Sequence, residues 1–391
     1  MSICKITLKP KEELRLLEGH PWVFSNEIDH IDGDIKSGEL AYVYSSKQVY
    51  IGKGFLNTSS KIFVRLLTRG DEVIDEAFFK AKIMKANQSR LDLGYQNSYR
   101  VFFGEADGIP GLIVDKYGDY LSVQILSLGI DIRKDMFVGI LVDIFKPAGI
   151  YERSDVQVRT KEGLELTKGI LFGSVPDDIF IKENDLIMTV DIKNGQKTGF
   201  YLDQQDNHNA IKPYVKGKKV LDCFSNIGGF GLHAAYYGAS HVTFVDVSKL
   251  ACEQIEKHAK LNHFDQVEVL ERDVFDYLRE PKDTKFDTII LDPPAFAKKQ
   301  DSIHKAYNGY KEINLQAMKL INDGGYLYTC SCSHYMTIEL FLKMLGEAAK
   351  DAKKVAQMVE LRIQSKDHPA LLGGDESLYL KCVILRISDL Y

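Results

Sequence analysis

Two cysteines stand two residues apart, at Cys330 and Cys332, in the segment Thr-Cys-Ser-Cys-Ser-His that covers residues 329–334. In an extended strand they would share one face. A cysteine thiolate is a strong nucleophile, but buried cysteines are also common in strands, so core packing explains either residue taken alone. A Cys-x-Cys metal half-site would need partners, and the six cysteines include no pair of Cys-x-x-Cys half-sites. We therefore predict no metal site.

A second reactive segment is Asp-Pro-Pro-Ala-Phe at 292–296. Two consecutive prolines hold a loop extended and remove two backbone donors. Such a loop can direct the Asp292 carboxylate and nearby carbonyls at a planar base. The alternative is a stiff connection between a strand and a helix.

A glycine-rich turn follows the run Lys219-Val-Leu-Asp222, and a helix is predicted to begin within its glycines, which are Gly228, Gly229 and Gly231. Glycines let a ligand approach the backbone at a helix N-terminus, although they also serve close packing of a helix on a sheet. The acids are more informative, because four consecutive strand-like runs each end at, or are followed by, an aspartate: Asp222, Asp246, Asp273 and Asp292. Parallel strands bind ligands at their carboxyl ends. A cofactor site explains this pattern better than helix capping and turn formation, which aspartate also favours.

The position of Asp222 indicates the type of cofactor. A dinucleotide fold needs room for a pyrophosphate there, and a carboxylate would repel it. A carboxylate suits a cationic ligand instead. S-adenosylmethionine carries an ammonium and a sulfonium, so it is the predicted cofactor, and Asp246 would accept hydrogen bonds from its ribose hydroxyls.

Strands and helices must position these residues. From Lys218 onward they alternate, which predicts a parallel, doubly wound α/β sheet. Residues up to about 70 contain short alternating runs that indicate a small barrel or sheet. The section between, which contains a predicted helix at 76–93, a hairpin at 111–126 and a second helix at 131–145, indicates an α+β domain. We predict three domains, at residues 1–70, 71–190 and 191–391.

The composition indicates the class of protein and the cellular compartment in which this chemistry would take place. The chain has 391 residues, 45% of them hydrophobic, and a net charge of -5. It shows no signal-peptide pattern and no run of about 18 apolar residues, so we predict a cytoplasmic protein with no membrane contact. The scattered cysteines also favour a reducing compartment. A globally basic nucleic-acid-binding surface is excluded, although the first 69 residues hold ten basic and eight acidic side chains.

Several segments resemble motifs of one enzyme family. They are 198–204, 222–230, 292–296, 309–314 and 331–333 in the C-terminal half, and 20–24, 105–112 and 151–155 before it. Together they are similar to the bacterial cytosine-carbon-5 methyltransferases of 23S ribosomal RNA. The resemblance implies a PUA-like RNA-binding β-barrel, a central α+β domain and a C-terminal Rossmann-like class I methyltransferase domain. It covers nearly the whole chain.

The resemblance also implies roles for individual residues. Cys332 corresponds to the nucleophile that adds to cytosine carbon 6, and Asp292 could accept a hydrogen bond from the cytosine amino group. Because a free thiol is mostly protonated at pH 7, we expect local activation of Cys332. Cys330 is one candidate for the base that removes the carbon-5 proton. The implied cofactor-binding residues are Tyr201, Asp203, Gln204, Asp222, Phe224, Ser225, Gly228, Gly229, Asp246, Asp273, Asp292 and Pro293.

The implied partner is ribosomal RNA, S-adenosylhomocysteine is the implied product, and a homodimer is one expected assembly. Lys53, Arg65 and Arg69 are candidate RNA contacts in the N-terminal domain. The chain departs from the family at Gln205 and His208, where the family usually has two arginines. Three alternatives remain. A guanine methyltransferase would need no cysteine nucleophile, and a methyluridine enzyme would read Ser-Cys-Asn-Pro. A non-catalytic RNA-binding factor would have no reason to keep Asp222, Asp292 and Cys332.

Overall fold

The computed structural model describes residues 4–281, 284–297, 300–374 and 377–390. The chain forms two compact units. The first comprises Met1–Ile181, Thr189–Leu202 and Lys366–Ser377, and the second comprises Lys182–Met188, Asp203–Ser365 and Leu378–Tyr391. The boundary predicted near residue 70 falls within the first unit, and the segment Lys366–Ser377 packs with that unit although it is distant in sequence.

The N-terminal part of the first unit is a six-stranded sheet in the order β2-β6-β5-β4-β1-β3. Its core contains Ile6, Val23, Val43 and Val64, all fully buried. Along β4, buried residues alternate with half-buried ones, as the period-2 pattern predicted, whereas β5 is buried along almost its whole length. Their bounds, with the short helix α1, are β1 Cys4–Leu8, α1 Glu13–Leu17, β2 Trp22–Phe24, β3 Ile28–Asp32, β4 Leu40–Tyr44, β5 Tyr50–Leu56 and β6 Ile62–Thr68.

A five-stranded sheet in the order β11-β10-β9-β8-β7 follows in the same unit. The predicted helix at 76–93 and the hairpin at 111–126 are confirmed as α2 and as β8–β9. The helix predicted over 131–145 forms as two helices, because Arg133 has a non-helical backbone (φ -112°, ψ 18°). The bounds are α2 Glu76–Asp92, β7 Ser98–Phe103, β8 Leu112–Tyr117, β9 Tyr120–Ile125, α3 Leu128–Asp131, α4 Lys134–Phe145, β10 Gly149–Ser154 and β11 Thr167–Gly173.

The second unit contains a seven-stranded sheet. Two short paired strands, β12 Ile179–Glu183 and β13 Leu186–Val190, lie where the chain passes between the units. The large sheet has the order β16-β15-β14-β17-β18-β20-β19; β14 to β18 are parallel and β20 is antiparallel to β18. Its strands are β14 Lys219–Cys223, β15 His241–Asp246, β16 Val267–Glu271, β17 Phe286–Leu291, β18 Ile321–Ser331, β19 Lys354–Arg362 and β20 Lys381–Asp389.

Helices cover this sheet and bury the apolar side chains of its strands. On α7, Ala251, Ile255 and Ala259 are buried with Cys252 beside them, as the helical periodicity predicted. None of the helices in the described part of the chain has the length and hydrophobicity that crossing a membrane requires. The helices of the second unit are α5 Gln205–Ala210, α6 Gly229–Tyr236, α7 Lys249–Leu261, α8 Val274–Arg279, α9 Ile303–Leu320 and α10 Ile338–Asp351.

The strand order determines where a ligand can bind. The chain moves outward from β14 to β15 and β16, then returns to the other side of β14 as β17. In open α/β sheets this reversal opens a crevice at the carboxyl ends of the two central strands. Asp222 is the penultimate residue of β14, and Asp292 directly follows β17. The two acids therefore lie at the carboxyl ends of adjacent strands, at that crevice.

Candidate active site

The loop between β14 and α6 is held in one conformation by Ser225. Its hydroxyl donates to the carbonyl of Asp222 at 2.7 Å and accepts from the backbone N–H of Val245 at 3.1 Å. Within the loop, Phe224 and Asn226 have positive φ values of 58° and 48°. Non-glycine residues seldom adopt this conformation, and such strain is concentrated at functional sites. The loop is therefore shaped for a purpose other than connecting two elements.

The glycines of this loop are required by packing. Gly228 is the N-cap of α6 and has a φ of 92°, which only glycine adopts readily. A Cβ on Gly229 would lie 2.5 Å from the ring of His208, and one on Gly231 would lie 2.2 Å from Phe244. Close helix-sheet packing thus accounts for these glycines without a cofactor.

Asp222 supplies the stronger indication of a ligand. Only 1% of the residue is exposed, and Oδ2 accepts a hydrogen bond from the Gly231 N–H at 2.9 Å. Burial, together with the nearby Asp292 carboxylate, raises its pKa to about 8, although the Gly231 bond acts in the opposite direction. A buried carboxylate needs a positive partner to remain ionised at neutral pH. The ammonium of S-adenosylmethionine would be such a partner, so the site fits the predicted cofactor.

The next two strand-end acids have local roles of their own. Asp246 accepts from the backbone N–H groups of Asn226, at 2.9 Å, and Ser248, at 2.8 Å. It therefore joins the glycine loop to the end of β15, where its carboxylate keeps lone pairs for a diol. Asp273 is the N-cap of α8 and accepts from the Asp276 N–H at 3.0 Å. Capping explains Asp273 fully, and its role toward the cofactor stays a prediction.

The Asp-Pro-Pro loop is tied to the strand that carries Cys332. Leu291 pairs with Thr329 in the parallel β17–β18 ladder. Pro293 is buried, and the backbone N–H of Ala297 donates to Ser333 Oγ at 3.3 Å. The loop and the Cys332 segment are thus fixed to each other at both ends.

The two cysteines of this strand differ in their surroundings. All six cysteines lie in the described part of the chain, and Cys332 is the one that is partly exposed. Cys330 is fully buried and pairs across the sheet with Cys382. Burial, and then Cys382, raise the pKa of Cys330 well above its ordinary value. Cys330 therefore serves the core, and its candidacy as the proton-removing base loses support.

Tyr310 on α9 holds the residues on either side of Cys332. Its hydroxyl accepts from Ser331 Oγ at 3.1 Å and lies 3.1 Å from Ser333 Oγ. Its ring packs on Phe296, with the centroids 4.6 Å apart. The 309–314 segment resembles a family motif, but the sequence predicted no role for Tyr310. The hydrogen bonds give it one, which is to fix the backbone around Cys332.

His208 stands at one of the two positions where the family usually has an arginine, and it pairs with Glu183. Its Nδ1 lies 2.6 Å from Glu183 Oε1 in a fully buried pair. Burial alone would lower the pKa of His208, but the Glu183 carboxylate outweighs it, and the pKa is raised. The ring packs against Gly229, where a Cβ would lie 2.5 Å from it, so the pair with Glu183 lies behind the cofactor loop.

His233 completes this cluster as a neutral ring. Burial lowers its pKa to about 4, and Nδ1 donates to the Gly229 carbonyl at 2.7 Å. The ligand atoms of Glu183, His208 and His233 lie within 4.8 Å of one another, which is close enough to hold a metal ion. His208 Nδ1 pairs with Glu183. His233 contacts the Gly229 carbonyl through Nδ1 and Asn184 Nδ2 through Nε2, so we interpret the cluster as an ion pair with a supporting histidine.

The three predicted cofactor-binding residues that precede α5 belong to two different units. Asp203 accepts from the Tyr379 hydroxyl at 2.7 Å, and Gln204 accepts from Asn207 Nδ2 at 2.7 Å. Both are buried in the second unit with Asp222. Tyr201 belongs to the first unit, where its ring lies 4.4 Å from Lys197 Nζ. The cofactor contacts expected of these three residues stay predictions.

Comparison with known proteins agrees with this geometry. Residues 6–69 match the family described as PUA-like domain, and residues 204–351 match the family described as Conserved hypothetical protein 95. The ribosomal RNA large subunit methyltransferase I of Aliivibrio fischeri (strain MJ11) is 42% identical, over 98% of this chain and 99% of its own. The chain therefore belongs to the ribosomal RNA large subunit methyltransferase I family.

Solved structures support the fold of this methyltransferase. A Streptococcus mutans protein described as a candidate SAM-dependent methyltransferase superposes with a TM-score of 0.82 at 22% identity, covering 98% of this chain and all of that one. A candidate methyltransferase in complex with S-adenosylhomocysteine gives a TM-score of 0.83 at 23% identity, with the same coverage. The predicted fold class is confirmed, and so is S-adenosylmethionine as the cofactor of the family.

The three cations suggested as RNA contacts of the methyltransferase lie inside the first unit. Lys53 is 4% exposed and lies over the Tyr42 ring. Arg65 pairs with Glu162 at 2.7 Å, and Arg69 donates to the Leu16 carbonyl at 2.9 Å. Lys53 is therefore a buried structural residue and Arg65 is largely buried in an ion pair, so an RNA contact by these two loses support, whereas Arg69 is exposed and its RNA contact stays a prediction.

A substitution at Asp273 would separate capping from cofactor binding in this methyltransferase. We expect Asp273→Ala to lower the free energy of unfolding by about 1 kcal/mol, the usual effect of removing an N-cap. Urea denaturation checks this value. If cofactor affinity measured by calorimetry falls as well, Asp273 contacts the cofactor; an unchanged affinity leaves capping as its only role.

Proposed function

We propose that this protein methylates carbon 5 of a cytosine in large-subunit ribosomal RNA through a covalent adduct with Cys332. The observation that carries the proposal is the placement of a partly exposed cysteine at the end of β18, beside the loop of Asp292. Asp222 lies on the neighbouring strand at the same edge of the sheet. Cys332, Asp292 and Asp222, to which we assign the roles of nucleophile, base-recognising carboxylate and cation-binding carboxylate, thus lie at the carboxyl ends of three adjacent strands, β18, β17 and β14.

Cytosine carbon 5 needs a nucleophilic partner. As part of an aromatic ring it is a poor nucleophile, so it must be activated before it can accept a methyl group. When the Cys332 thiolate adds to carbon 6, a sulfur–carbon bond forms and the ring electrons move toward carbon 5, which becomes enamine-like. The cofactor supplies an electrophilic methyl group on a sulfonium.

The adduct must then break down to restore the enzyme. Once carbon 5 carries the methyl group, a base removes the carbon-5 proton, and that electron pair re-forms the double bond between carbons 5 and 6. The bond to Cys332 breaks, and its electrons return to sulfur as the thiolate. Ser331 and Ser333, both held by Tyr310, keep the cysteine in one position throughout.

Asp292 supports selection of cytosine. A carboxylate accepts a hydrogen bond from the exocyclic amino group of cytosine, whereas uracil presents a carbonyl oxygen at that position. Two facing acceptors in a closed site repel each other and leave both groups without partners. The prolines that follow Asp292 keep the carboxylate from turning away.

The names of the curated relatives indicate which class of RNA is the substrate. The curated relatives are named as methyltransferases of large-subunit ribosomal RNA, and the N-terminal residues match a PUA-like family. The target base must be unstacked to reach Cys332, which is easiest in a loop or an unpaired segment.

Methylation of RNA in vitro tests the proposal. We expect the purified protein and S-adenosylmethionine to add methyl groups to a 23S ribosomal RNA transcript, and nucleoside mass spectrometry to identify the product as 5-methylcytidine. A 16S transcript serves as the control substrate and should gain none. Methylguanosine as the product would overturn the cytosine assignment and favour the guanine alternative.

A further inference from the structure

Lys381 is a buried lysine beside the proposed nucleophile. It begins β20, is 3% exposed, and pairs across the sheet with Ser331, the residue before Cys332. Its Nζ donates to the carbonyl of Ser333, the residue after Cys332, at 2.6 Å, and to the carbonyl of Tyr379 at 2.9 Å. The lysine thus donates a hydrogen bond to the residue after Cys332 and is paired in the sheet with the residue before it.

The charge of Lys381 has no carboxylate to balance it. Among the described residues, no Asp or Glu lies within ion-pair distance of Nζ, and two carbonyl bonds leave one of its three N–H donors available. Burial lowers the pKa of Lys381 to about 8, and Cys332 is the group that acts in the opposite direction. A buried ammonium is stabilised by a nearby anion. Deprotonated Cys332 would supply such an anion at this position.

Other titratable groups near this strand end do not provide that anion. Tyr310 faces Cys332 from α9, but burial raises its pKa, so its hydroxyl stays neutral at physiological pH. Cys330 and Cys382 are fully buried on β18 and β20, and the pKa of Cys330 is raised. Asp292, on β17, acts on Cys330 and on Asp222.

We propose that Lys381 is a positioning residue that holds Cys332 as a thiolate through its ammonium charge. This inference rests on the proposed function, in which Cys332 is the nucleophile. It supplies the local activation that a free thiol needs at neutral pH. It also predicts that the activation weakens above about pH 8, where Lys381 loses its proton.

Alkylation of Cys332 by iodoacetamide tests the inference without RNA or methyl transfer. Because the other five cysteines are buried, peptide mass spectrometry can follow Cys332 in the intact protein, with Cys332→Ser as the blank. We expect Lys381→Met to slow alkylation about tenfold at pH 7 and to move the pH midpoint of the reaction upward by about one unit. Lys381→Arg, which keeps the charge, should stay near the wild-type midpoint.

The outcomes are distinct. An unchanged midpoint in Lys381→Met, with the protein folded by circular dichroism, overturns the inference. Equal upward shifts in Lys381→Met and Lys381→Arg also overturn it, because packing and not charge would then be responsible. If the midpoint shifts as expected but no 5-methylcytidine forms on 23S RNA, Lys381 activates Cys332 and the proposed substrate is wrong.

Discussion

Cys332→Ala is expected to abolish methyl transfer while leaving the affinity for S-adenosylmethionine unchanged. Without the thiolate, carbon 5 of cytosine is not activated, and loss of a covalent nucleophile lowers turnover on the order of 10⁴- to 10⁶-fold. The side chain is partly exposed and small, so its removal leaves the fold intact. Single-turnover methylation with labelled cofactor measures the first effect, and calorimetry measures the second.

Cys330→Ala is the matched control for this prediction. It removes the same sulfur two residues away on the same strand, from a fully buried position opposite Cys382. We expect a loss of about 1 kcal/mol in stability from the small cavity, with methyl transfer retained. Full activity in Cys332→Ala would rule out the covalent mechanism, and an inactive but folded Cys330→Ala would restore Cys330 as the base.

Trapping with a fluorinated substrate gives an independent readout. RNA that carries 5-fluorocytidine has no proton at carbon 5, so elimination of the thiolate is blocked after methyl transfer. A stable protein–RNA adduct should accumulate with the wild type and with Cys330→Ala, but not with Cys332→Ala. Denaturing gel electrophoresis detects the adduct.

Asp222→Asn is expected to weaken S-adenosylmethionine binding by about 10- to 100-fold. The carboxylate is 1% exposed, and in the complex it would pair with the cofactor ammonium; charged hydrogen bonds contribute about 1.5–3 kcal/mol. Asparagine has the same shape and can still accept the bond from the Gly231 N–H. Asp265→Asn removes an exposed carboxylate at the amino end of β16 and should leave affinity unchanged.

The raised pKa of Asp222 gives this prediction a pH signature. A carboxyl whose pKa rises to about 8 on folding favours the folded state at low pH, and that contribution is lost as pH increases toward 8. Without cofactor, Asp222→Asn should therefore be more stable than the wild type at pH 8. Cofactor affinity of the wild type should rise between pH 6 and 8 as Asp222 ionises, and the asparagine variant should show a flat profile. A wild-type profile as flat as that of Asp222→Asn would contradict the assignment.

Sequence patterns predicted most of the methyltransferase half. Most of the five parallel strands form as expected because they are short apolar runs with buried residues, whereas β16, at the edge of the sheet, is only half-buried. Helix α7 buries the predicted Ala251, Ile255 and Ala259. The α3–α4 break was missed, because the departure of Arg133 from helical geometry leaves no mark in the apolar periodicity.

Charged residues were harder to place. Lys53, Arg65 and Arg69 all look like surface cations in the sequence, yet Lys53 is buried over a ring and Arg65 is largely buried in an ion pair, and Arg69 alone of the three is exposed. Sequence alone does not say whether a long cationic side chain meets solvent, since this depends on partners far along the chain.

The sequence by itself determined the residue types of the site and the strand ends that bear them, because parallel strands align their carboxyl ends whatever the details of packing. Only the tertiary structure showed that Cys332 is partly exposed while Cys330 is buried, since exposure depends on what the antiparallel strand β20 covers. It also brought Lys381 and Tyr310, from distant parts of the chain, to the two sides of Cys332. Contacts of that kind arise because the chain folds back on itself. The spacing of residues along the sequence does not show which distant segments will meet.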